Sequence, residues 1–191
     1  MRTHNGCVVI DERDLGKSEE QLLMDLIYEH TRQRIPIEYI TYGLPQELDA
    51  RPDLKYDPNT FIPVRIDPRW DDRFASPGGP KGFMYRRRTF QEYFEDIDFT
   101  IDVDEFPFWV KDLVDSKINP HVPYPLDPEK DVLNYQFKER DATSFPLIAH
   151  PHSYIWAGRT PMKINPIDPI WYKLVPDPFM PGFVEYVAPA P

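Results

Sequence analysis

The sequence predicts an α+β protein of two tandem small units, each with one helix and about three strands, followed by an extended proline-rich C-terminal arm. The phrase MDLIYEHTRQRIP at 24–36 returns as KDLVDSKINPHVP at 111–123, with the same spacing between its acidic start and its aliphatic-proline end. Proline is abundant, with 23 residues against 8 glycines, which disfavours long helices and broad central strands. Large apolar residues continue to the C-terminal end.

The first unit is predicted to span 18–90, after an N-terminal arm at 1–17. Ser18 and Gln21 form a capping-box pattern, so a helix should begin there and end before Pro36. Its apolar stripe consists of Leu22, Leu23, Leu26 and Ile27. Three strands should follow. The first alternates Ile35, Ile37 and Tyr39, the second is FIPVRID with Ile62, Val64 and Ile66 on one face and Pro63 at an edge or bulge, and the third is FMYRRRTF.

The second unit is predicted to span 91–164. Its first part, 91–104, alternates acidic and apolar residues, which favours a strand or an extended linker. Asp104 can cap the second helix, with Pro107 in its first turn. The apolar stripe Trp109, Val110, Leu113 and Val114 repeats the offsets of the first helix. SFPLIAH and YIWAGRTPMKI then take the places of the last two strands of the first unit, and internal similarity of this kind favours duplication.

The C-terminal arm is predicted to be the segment 165–191. It is interrupted by prolines yet rich in large apolar side chains, which disordered tails normally lack. Such a segment needs a surface to pack on, either its own two units or another protein. The predicted partner contacts are Trp171, Tyr172, Phe179, Phe183 and Tyr186.

Charge and cysteine content exclude several classes of protein. The net charge is −10 and argues against a general nucleic-acid binder. The triplet 86–88, three arginines, could meet a phosphate or an acidic partner, or be answered by acids of its own chain. The one cysteine, Cys7, excludes an intrachain disulfide framework and a cysteine-rich zinc site. No apolar run suggests a signal peptide or a membrane span, so we expect a soluble protein without membrane association.

The best candidate for chemistry is His150 and His152, two residues apart, which could bind a metal or simply occupy a turn. Neither His121 nor Asp141 adds a spacing that zinc sites use. The glycine-rich PGGPKG at 77–82 has two prolines and no Ser or Thr after its lysine, so a turn is favoured over a phosphate loop. We therefore expect no enzymatic activity, no cofactor and no metal.

Three phrases of the chain resemble a small repeated domain of virion structural proteins from very large (jumbo) tailed bacteriophages. Asn59-Thr60, Val64 and Ile66 match an N-T-x-V-x-V phrase, and Gly82, Tyr85 and Arg87 match a Gly-aromatic phrase that ends in Y-x-R. Ser153, Trp156 and Gly158 carry the similarity in the second unit. The resemblance covers roughly residues 18–165.

The resemblance implies a non-enzymatic structural component of the phage head, neck or tail. Its partners would be other virion subunits, with no direct nucleic-acid contact, and its location would be the virion, assembled in the host cytoplasm. Two alternatives stay open. One is an accessory subunit of a cellular multiprotein complex, and the other is a carbohydrate-binding module that uses Trp70, Trp109 or Trp156 as a platform.

Overall fold

The structure is a computed structural model that describes residues 1–4, 6–48, 57–70, 82–139 and 142–165. The strands are β1 (Arg2–His4), β2 (Cys7–Val9), β3 (Ile40–Tyr42), β4 (Gln46–Glu47), β5 (Thr60–Ile66), β6 (Gly82–Arg86), β7 (Arg88–Thr89), β8 (Thr100–Asp102), β9 (Phe108–Trp109), β10 (Gln136–Phe137), β11 (Ser144–Ile148), β12 (Trp156–Ala157) and β13 (Arg159–Asn165). The α-helices are α1 (Glu19–Thr31), α2 (Phe90–Phe94) and α3 (Val110–Leu113), and α3 continues as a π-helix over Val114–Ile118 and a 3-10 turn over Asn119–His121. The mixed α+β class is confirmed.

Helix α1 confirms its sequence signals. The Ser18 hydroxyl accepts a hydrogen bond from the Gln21 amide at 3.2 Å, and the Gln21 side chain accepts one from the Ser18 amide at 3.1 Å. The predicted apolar stripe is buried, and it comprises Leu22, Leu23, Leu26 and Ile27. The helix ends where Arg32 adopts a left-handed conformation with φ of 58°.

The second helix differs from its prediction at the N-terminal end. It begins at Val110 rather than after Asp104, because the chain pairs β9 with β10 before it turns into the helix. Val110, Leu113 and Val114 are buried as predicted, and the π-helix adds Ile118 to the same face. Trp109 is 46% exposed, so its assignment to the buried stripe is wrong. It lies in β9, before the first helical turn.

Three other segments depart from their predictions. The segment Ile37–Tyr39 is a 3-10 turn, and the strand begins only at Ile40. The region predicted as a strand or linker contains both α2, capped by the Thr89 hydroxyl, and β8. Residues 1–17, predicted as an arm, instead contribute β1 and β2 to the first sheet. Val8 and Ile10 are buried there, which fixes this segment to the body of the protein.

The first sheet has the order β1-β2-β6-β5-β3, with β4 also paired to β5. Strand β2 runs parallel to β6, and β5 runs antiparallel to β6. Ile62, Val64 and Ile66 share the buried face of β5, as predicted. Pro63 was expected at an edge or bulge, but β5 is central. The proline lies where the neighbour of β5 changes from β4 to β3, and its carbonyl accepts from the Gly43 amide at 2.9 Å.

The second main sheet has the order β11-β13-β8 and repeats the central arrangement of the first. Strand β8 runs parallel to β13, and β11 runs antiparallel to β13. In each half a first strand, β2 or β8, is followed by a helix and then by an antiparallel pair of strands. The second strand of that pair, β6 or β13, runs parallel to β2 or β8. We call this the shared three-strand arrangement, which is β2-β6-β5 in one half and β8-β13-β11 in the other.

The apolar side chains form two cores. The first lies beneath α1 and is built from residues between Val8 and Tyr85, together with Tyr154. The second is built from residues between Phe90 and Ile164 and is rich in aromatic rings. Phe90 and Tyr93 both contact the buried Trp156. Their ring centroids lie 5.5 and 4.6 Å, respectively, from the Trp156 ring centroid. The two cores therefore divide the chain close to α2, while Tyr154 reaches from the second half into the first core.

Candidate functional site

Five residues from the phrases singled out in the sequence meet in a buried cluster between the two cores. This cluster, the Arg87 junction, consists of Asn59, Thr60, Tyr85, Arg87 and Ser153. Asn59 directly precedes β5, and Thr60 is its first residue. Tyr85 lies in β6, and Arg87 follows that strand. Ser153 lies in the turn that links β11 to β12. All five residues are buried. Strand geometry brings them together, because the first residue of β5 and Tyr85 of β6 are opposite each other in register.

Arg87 is the centre of the junction. Its Nε donates to the Thr60 hydroxyl at 2.6 Å, and its Nη1 donates to the carbonyl oxygens of Pro151 at 3.0 Å and Ser153 at 2.8 Å. Burial lowers the pKa of Arg87, but a guanidinium keeps its proton in proteins. One buried cation therefore joins the first sheet to the 151–153 turn of the second half through neutral acceptors.

Asn59 extends the strand pairing around Arg87. Its side-chain oxygen accepts from the Arg87 amide at 2.8 Å, and its side-chain nitrogen donates to the Arg87 carbonyl at 3.1 Å. The same oxygen also accepts from the Thr60 hydroxyl at 2.9 Å. A carboxamide can satisfy both backbone groups of one residue, because it carries a donor and an acceptor side by side. The Asn-Thr phrase therefore supplies the carboxamide and the hydroxyl that these hydrogen bonds use.

A second connection between the halves runs beside Arg87. The Tyr85 hydroxyl donates to the Tyr154 carbonyl at 3.1 Å, and burial raises the pKa of Tyr85. The Arg88 amide donates to the Ile155 carbonyl at 2.9 Å, and β7 pairs in parallel with β12. The junction is therefore a continuous set of backbone and side-chain hydrogen bonds and has the character of a structural joint.

Ser153 is held by a carboxylate that was not singled out from the sequence. Its hydroxyl donates to Asp131 Oδ1 at 2.8 Å and accepts from the amides of Ile155 and Trp156 at 3.3 and 3.2 Å. Asp131 Oδ2 accepts from the Asp127 amide at 3.0 Å. The hydroxyl of Ser153 is thus fully used in fixing the turn. No buried side-chain nitrogen or oxygen among the described residues lacks a hydrogen-bond partner.

The stability of the protein should depend on the charge of Asp131. Burial raises the pKa of Asp131 above its usual value, so the folded state favours the protonated acid. That contribution is fully present below the unfolded-state pKa and is lost as pH rises through the folded-state pKa. We therefore expect the stability of the natural chain, relative to Asp131→Asn, to increase as pH falls from 7 toward about 4. Urea unfolding at several pH values measures this difference.

Asp98→Asn is the matched control for Asp131→Asn. The hydrogen bond from Lys163, at 2.5 Å, lowers the pKa of Asp98. The natural chain should therefore lose stability relative to this variant as pH falls, which is the opposite sign. A pH trend of the same sign for both variants would contradict the assignment.

Two clefts lie beside the junction in the described part of the chain. A cleft of about 180 Å³ lies beside Lys17, Tyr124 and Asp131, and it is smaller than usual pockets for small molecules. A larger open groove of about 1050 Å³ passes Glu92 and Arg159. Glu92 there is hydrogen-bonded to Arg86 at 2.8 Å and to the Thr89 amide at 3.1 Å. The carboxylate is therefore occupied in an ion pair and a helix cap.

His150 and His152 lie in the turn that precedes Ser153. Their ring centroids are 5.5 Å apart, and the His152 amide donates to His150 Nδ1 at 3.2 Å. His152 Nδ1 lies 3.3 Å from the Pro45 carbonyl oxygen. No group of three or more potential metal-ligating His, Cys, Asp or Glu residues occurs in the described part of the chain. Their contacts fit the turn alternative.

The three arginines at 86–88 make their ion pairs and hydrogen bonds with groups of the same chain. Arg86 pairs with Glu92, Arg88 lies 3.7 Å from Glu12, and Arg87 is buried in the junction. The carboxylates that pair with Arg86 and Arg88 are these two glutamates of the same chain. The triplet thus shows the pattern of a charged strand end rather than a free phosphate site.

The three tryptophans considered as a carbohydrate-binding platform differ in exposure. Trp156 is buried in the second core, so it cannot serve as a carbohydrate platform. Trp70 is 39% exposed, with its ring centroid 5.5 Å from that of Tyr39, and Trp109 is the more exposed of the two. The predicted partner contacts lie outside the described residues, and they are Trp171, Tyr172, Phe179, Phe183 and Tyr186.

Comparisons with known proteins give no match to a family model, to a curated protein or to a solved structure. Within the described ranges, no helix has the length and apolar character needed to cross a membrane.

Proposed function

We propose that this protein is a non-enzymatic structural component of a tailed-phage virion, in the head, neck or tail, that binds neighbouring subunits through its C-terminal arm. The observation that carries the proposal is the Arg87 junction. The phrases that resemble the virion domain include Asn59-Thr60, Tyr85, Arg87 and Ser153, and these residues hold the two halves together. A motif whose polar groups are spent on internal hydrogen bonds is typical of a building part.

We also infer that the two halves arose as tandem versions of one unit, the first including β2, which the predicted bounds 18–90 leave out, and the second at 91–164. The shared three-strand arrangement supports this, since two unrelated halves would not be expected to agree in strand order, in strand direction and in the position of the helix. Duplicated small units joined through the hydrogen bonds of the Arg87 junction suit a protein that bridges neighbours.

The arm at 165–191 is the part proposed to contact other subunits. It continues directly from β13, the central strand of the second sheet. Its aromatic side chains are of the kind that anchors protein interfaces, because they offer large contact areas at a modest cost in conformational entropy. Proline fixes φ and removes an amide donor, so the proline content of this segment disfavours a helix there.

The arm can be tested in the particles of the phage that encodes the protein. We expect the full-length chain to sediment with purified particles. A variant with Trp171→Ala, Tyr172→Ala, Phe179→Ala and Phe183→Ala should be incorporated at least about tenfold less, because each interface anchor contributes about 1–2 kcal/mol. Quantitative mass spectrometry of gradient-purified particles gives the number of copies.

Trp109→Ala is the matched control, since it removes an exposed aromatic residue of the body and leaves the arm intact. It should be incorporated normally. Sedimentation of the natural chain with a cellular complex and not with particles would contradict the proposal and favour the accessory-subunit alternative. Equal incorporation of the arm variant would contradict the docking role.

A further inference from the structure

We propose that the cleft of about 180 Å³ between the two halves binds an alkylammonium group, either the side chain of a lysine from another protein or a free diamine. One wall is the segment that leads into α1, and the other consists of the loop around Asp131 and the segment 153–156. The volume suits one end of a ligand rather than a whole cofactor. The residues that carry this inference lie outside the C-terminal arm, so it goes beyond the proposed function and does not depend on it.

Negative charge is concentrated in this cleft. Glu19, Asp127 and Asp131 all line it. Burial raises the pKa of Asp131, and the charges of Asp127 and Glu19 add to that effect, although hydrogen bonds to Asp131 oppose it. Among the described residues, no lysine, arginine or histidine forms an ion pair with Asp127 or Asp131. A bound cation would therefore relieve a repulsion between carboxylates that the chain itself leaves in place.

The two lysines beside the cleft do not neutralise this charge. Lys17 Nζ is 2.7 Å from a carboxylate oxygen of Asp14 and 2.7 Å from one of Asp25, and neither acid is among the described residues that line the cleft. Lys130 Nζ is 3.3 Å from Glu19, but the two side chains are 63% and 49% exposed, so this pair is weak. The pair also shows that an ammonium group can be accepted at the Glu19 side of the cleft.

The Tyr154 hydroxyl is an independent sign of a ligand. Tyr154 lines the cleft and is only 6% exposed, and its hydroxyl has no hydrogen-bond partner among the described residues. Every fully buried side-chain oxygen in those residues has a partner, so this hydroxyl must reach the open space of the cleft. Burial and the nearby groups Tyr42 and Glu19 raise the pKa of Tyr154 to about 12, so the phenol stays protonated. Its oxygen can accept a hydrogen bond from an ammonium group.

The remaining lining suits an alkyl chain. Leu15, Leu22, Pro125 and Ile155 contribute apolar side chains to the walls. Tyr124 also lines the cleft and is 37% exposed, and aromatic rings attract ammonium ions to their faces. A primary amine on a short chain therefore matches both the charge and the polarity of the cleft.

An anion is disfavoured here, even though α1 begins beside the cleft. The Ser18 hydroxyl already caps the helix by accepting from the Gln21 amide. Glu19 and Glu20 place acidic groups in the first turn, which complements the positive end of the helix. An added anion would also face the carboxylates of the opposite wall.

NMR titration of the isotope-labelled full-length chain with n-butylammonium tests the site. We expect the backbone amides of 17–19 and 153–156 to shift together and to saturate, because the ion contacts both walls. The matched probes are n-butanol and n-butyrate, which have the same chain with no charge or with a negative charge. Both should bind at least about tenfold more weakly. The absence of saturating shifts with butylammonium, or an equal affinity for butanol, would overturn the proposal.

Two variants should move the affinity for butylammonium in opposite directions. Tyr154→Phe removes only the hydroxyl and should weaken binding about fivefold. Lys130→Ala removes the ammonium group that competes for Glu19 and should strengthen binding about twofold. Tyr28→Phe is the matched control, because Tyr28 is exposed near the C-terminal end of α1, and it should leave the affinity unchanged. Weaker binding by the Lys130 variant, or unchanged binding by Tyr154→Phe, would contradict the site.

Two further probes distinguish the sources of the amine. A blocked peptide with a single lysine between glycines and the diamine putrescine present the same alkylammonium end. Tighter binding of the peptide assigns the cleft to a lysine of another protein, and tighter binding of putrescine assigns it to a free diamine. Either result supports the site, whereas failure of both probes to bind would overturn it.

Discussion

Replacing Arg87 with alanine is expected to lower the free energy of unfolding by about 3–4 kcal/mol, because three buried acceptors lose charge-assisted hydrogen bonds. The acceptors are the Thr60 hydroxyl and the carbonyls of Pro151 and Ser153. The alanine variant no longer buries a cation, which offsets part of the lost stability. The range of about 3–4 kcal/mol includes this offset. Urea unfolding of the two chains gives the difference.

The Arg87→Ala variant should also change how the protein unfolds. In the natural chain the junction couples the two cores, so we expect a single calorimetric transition. Without the guanidinium the first core and the second core should unfold in two separated transitions. Arg87→Lys should be intermediate, because an ammonium group keeps the charge but not the planar fork that reaches the acceptors.

Arg65→Ala is the matched control for Arg87→Ala. Arg65 lies on β5 with its side chain exposed, so its removal should change the unfolding free energy by no more than about 0.5 kcal/mol. If Arg87→Ala behaved like this control and kept a single transition, the junction would not be what joins the two halves.

The second large effect is expected at Gly82, which lies in β6 opposite Pro63. A Cβ atom placed there would overlap the carbonyl oxygen of Ile62 and the ring of Phe61. Strand β5 is paired on both sides and cannot move away. We therefore expect Gly82→Ala to lower the unfolding free energy by about 3 kcal/mol, measured by urea unfolding, because the clash with a backbone carbonyl can be relieved only by shifting a paired strand.

Two further variants separate the causes of the Gly82 effect. Adding Phe61→Ala to Gly82→Ala removes the overlap with the ring but leaves the overlap with the Ile62 carbonyl, so rescue should be partial. Gly16→Ala is a control at an open position, where only the positive φ of 86° is unfavourable, and it should cost about 1 kcal/mol. Full rescue by Phe61→Ala, or a Gly82→Ala cost no greater than that of Gly16→Ala, would show that the strands can shift.

Local signals in the sequence were sufficient for several elements. The capping pair Ser18 and Gln21 and the stripe after it specify α1, since both depend only on neighbours along the chain. Alternation specifies the buried face of β5. The segments that were mispredicted depend on partners far along the chain. Trp109 is exposed because β9 pairs with β10, and β1 and β2 belong to the first sheet because β2 pairs with β6.

The junction was only partly accessible from the sequence. The residues of the Asn-Thr and Y-x-R phrases were singled out by resemblance, but their meeting with Ser153 follows from packing of the two halves. Asp131 was missed, because one carboxylate among many has no local signal that it will be buried. A polar pair at the start of an apolar strand, as at Asn59 and Thr60, is the signal that could have indicated a buried polar contact.

An electron cryomicroscopy map of the intact particle tests the central claim most directly. The account predicts density for this chain at a repeated position in the head, neck or tail, with the residues from 166 onward lying on a neighbouring subunit. Absence of the chain from the particle would contradict it. So would a map in which those residues fold back and contact only their own two units.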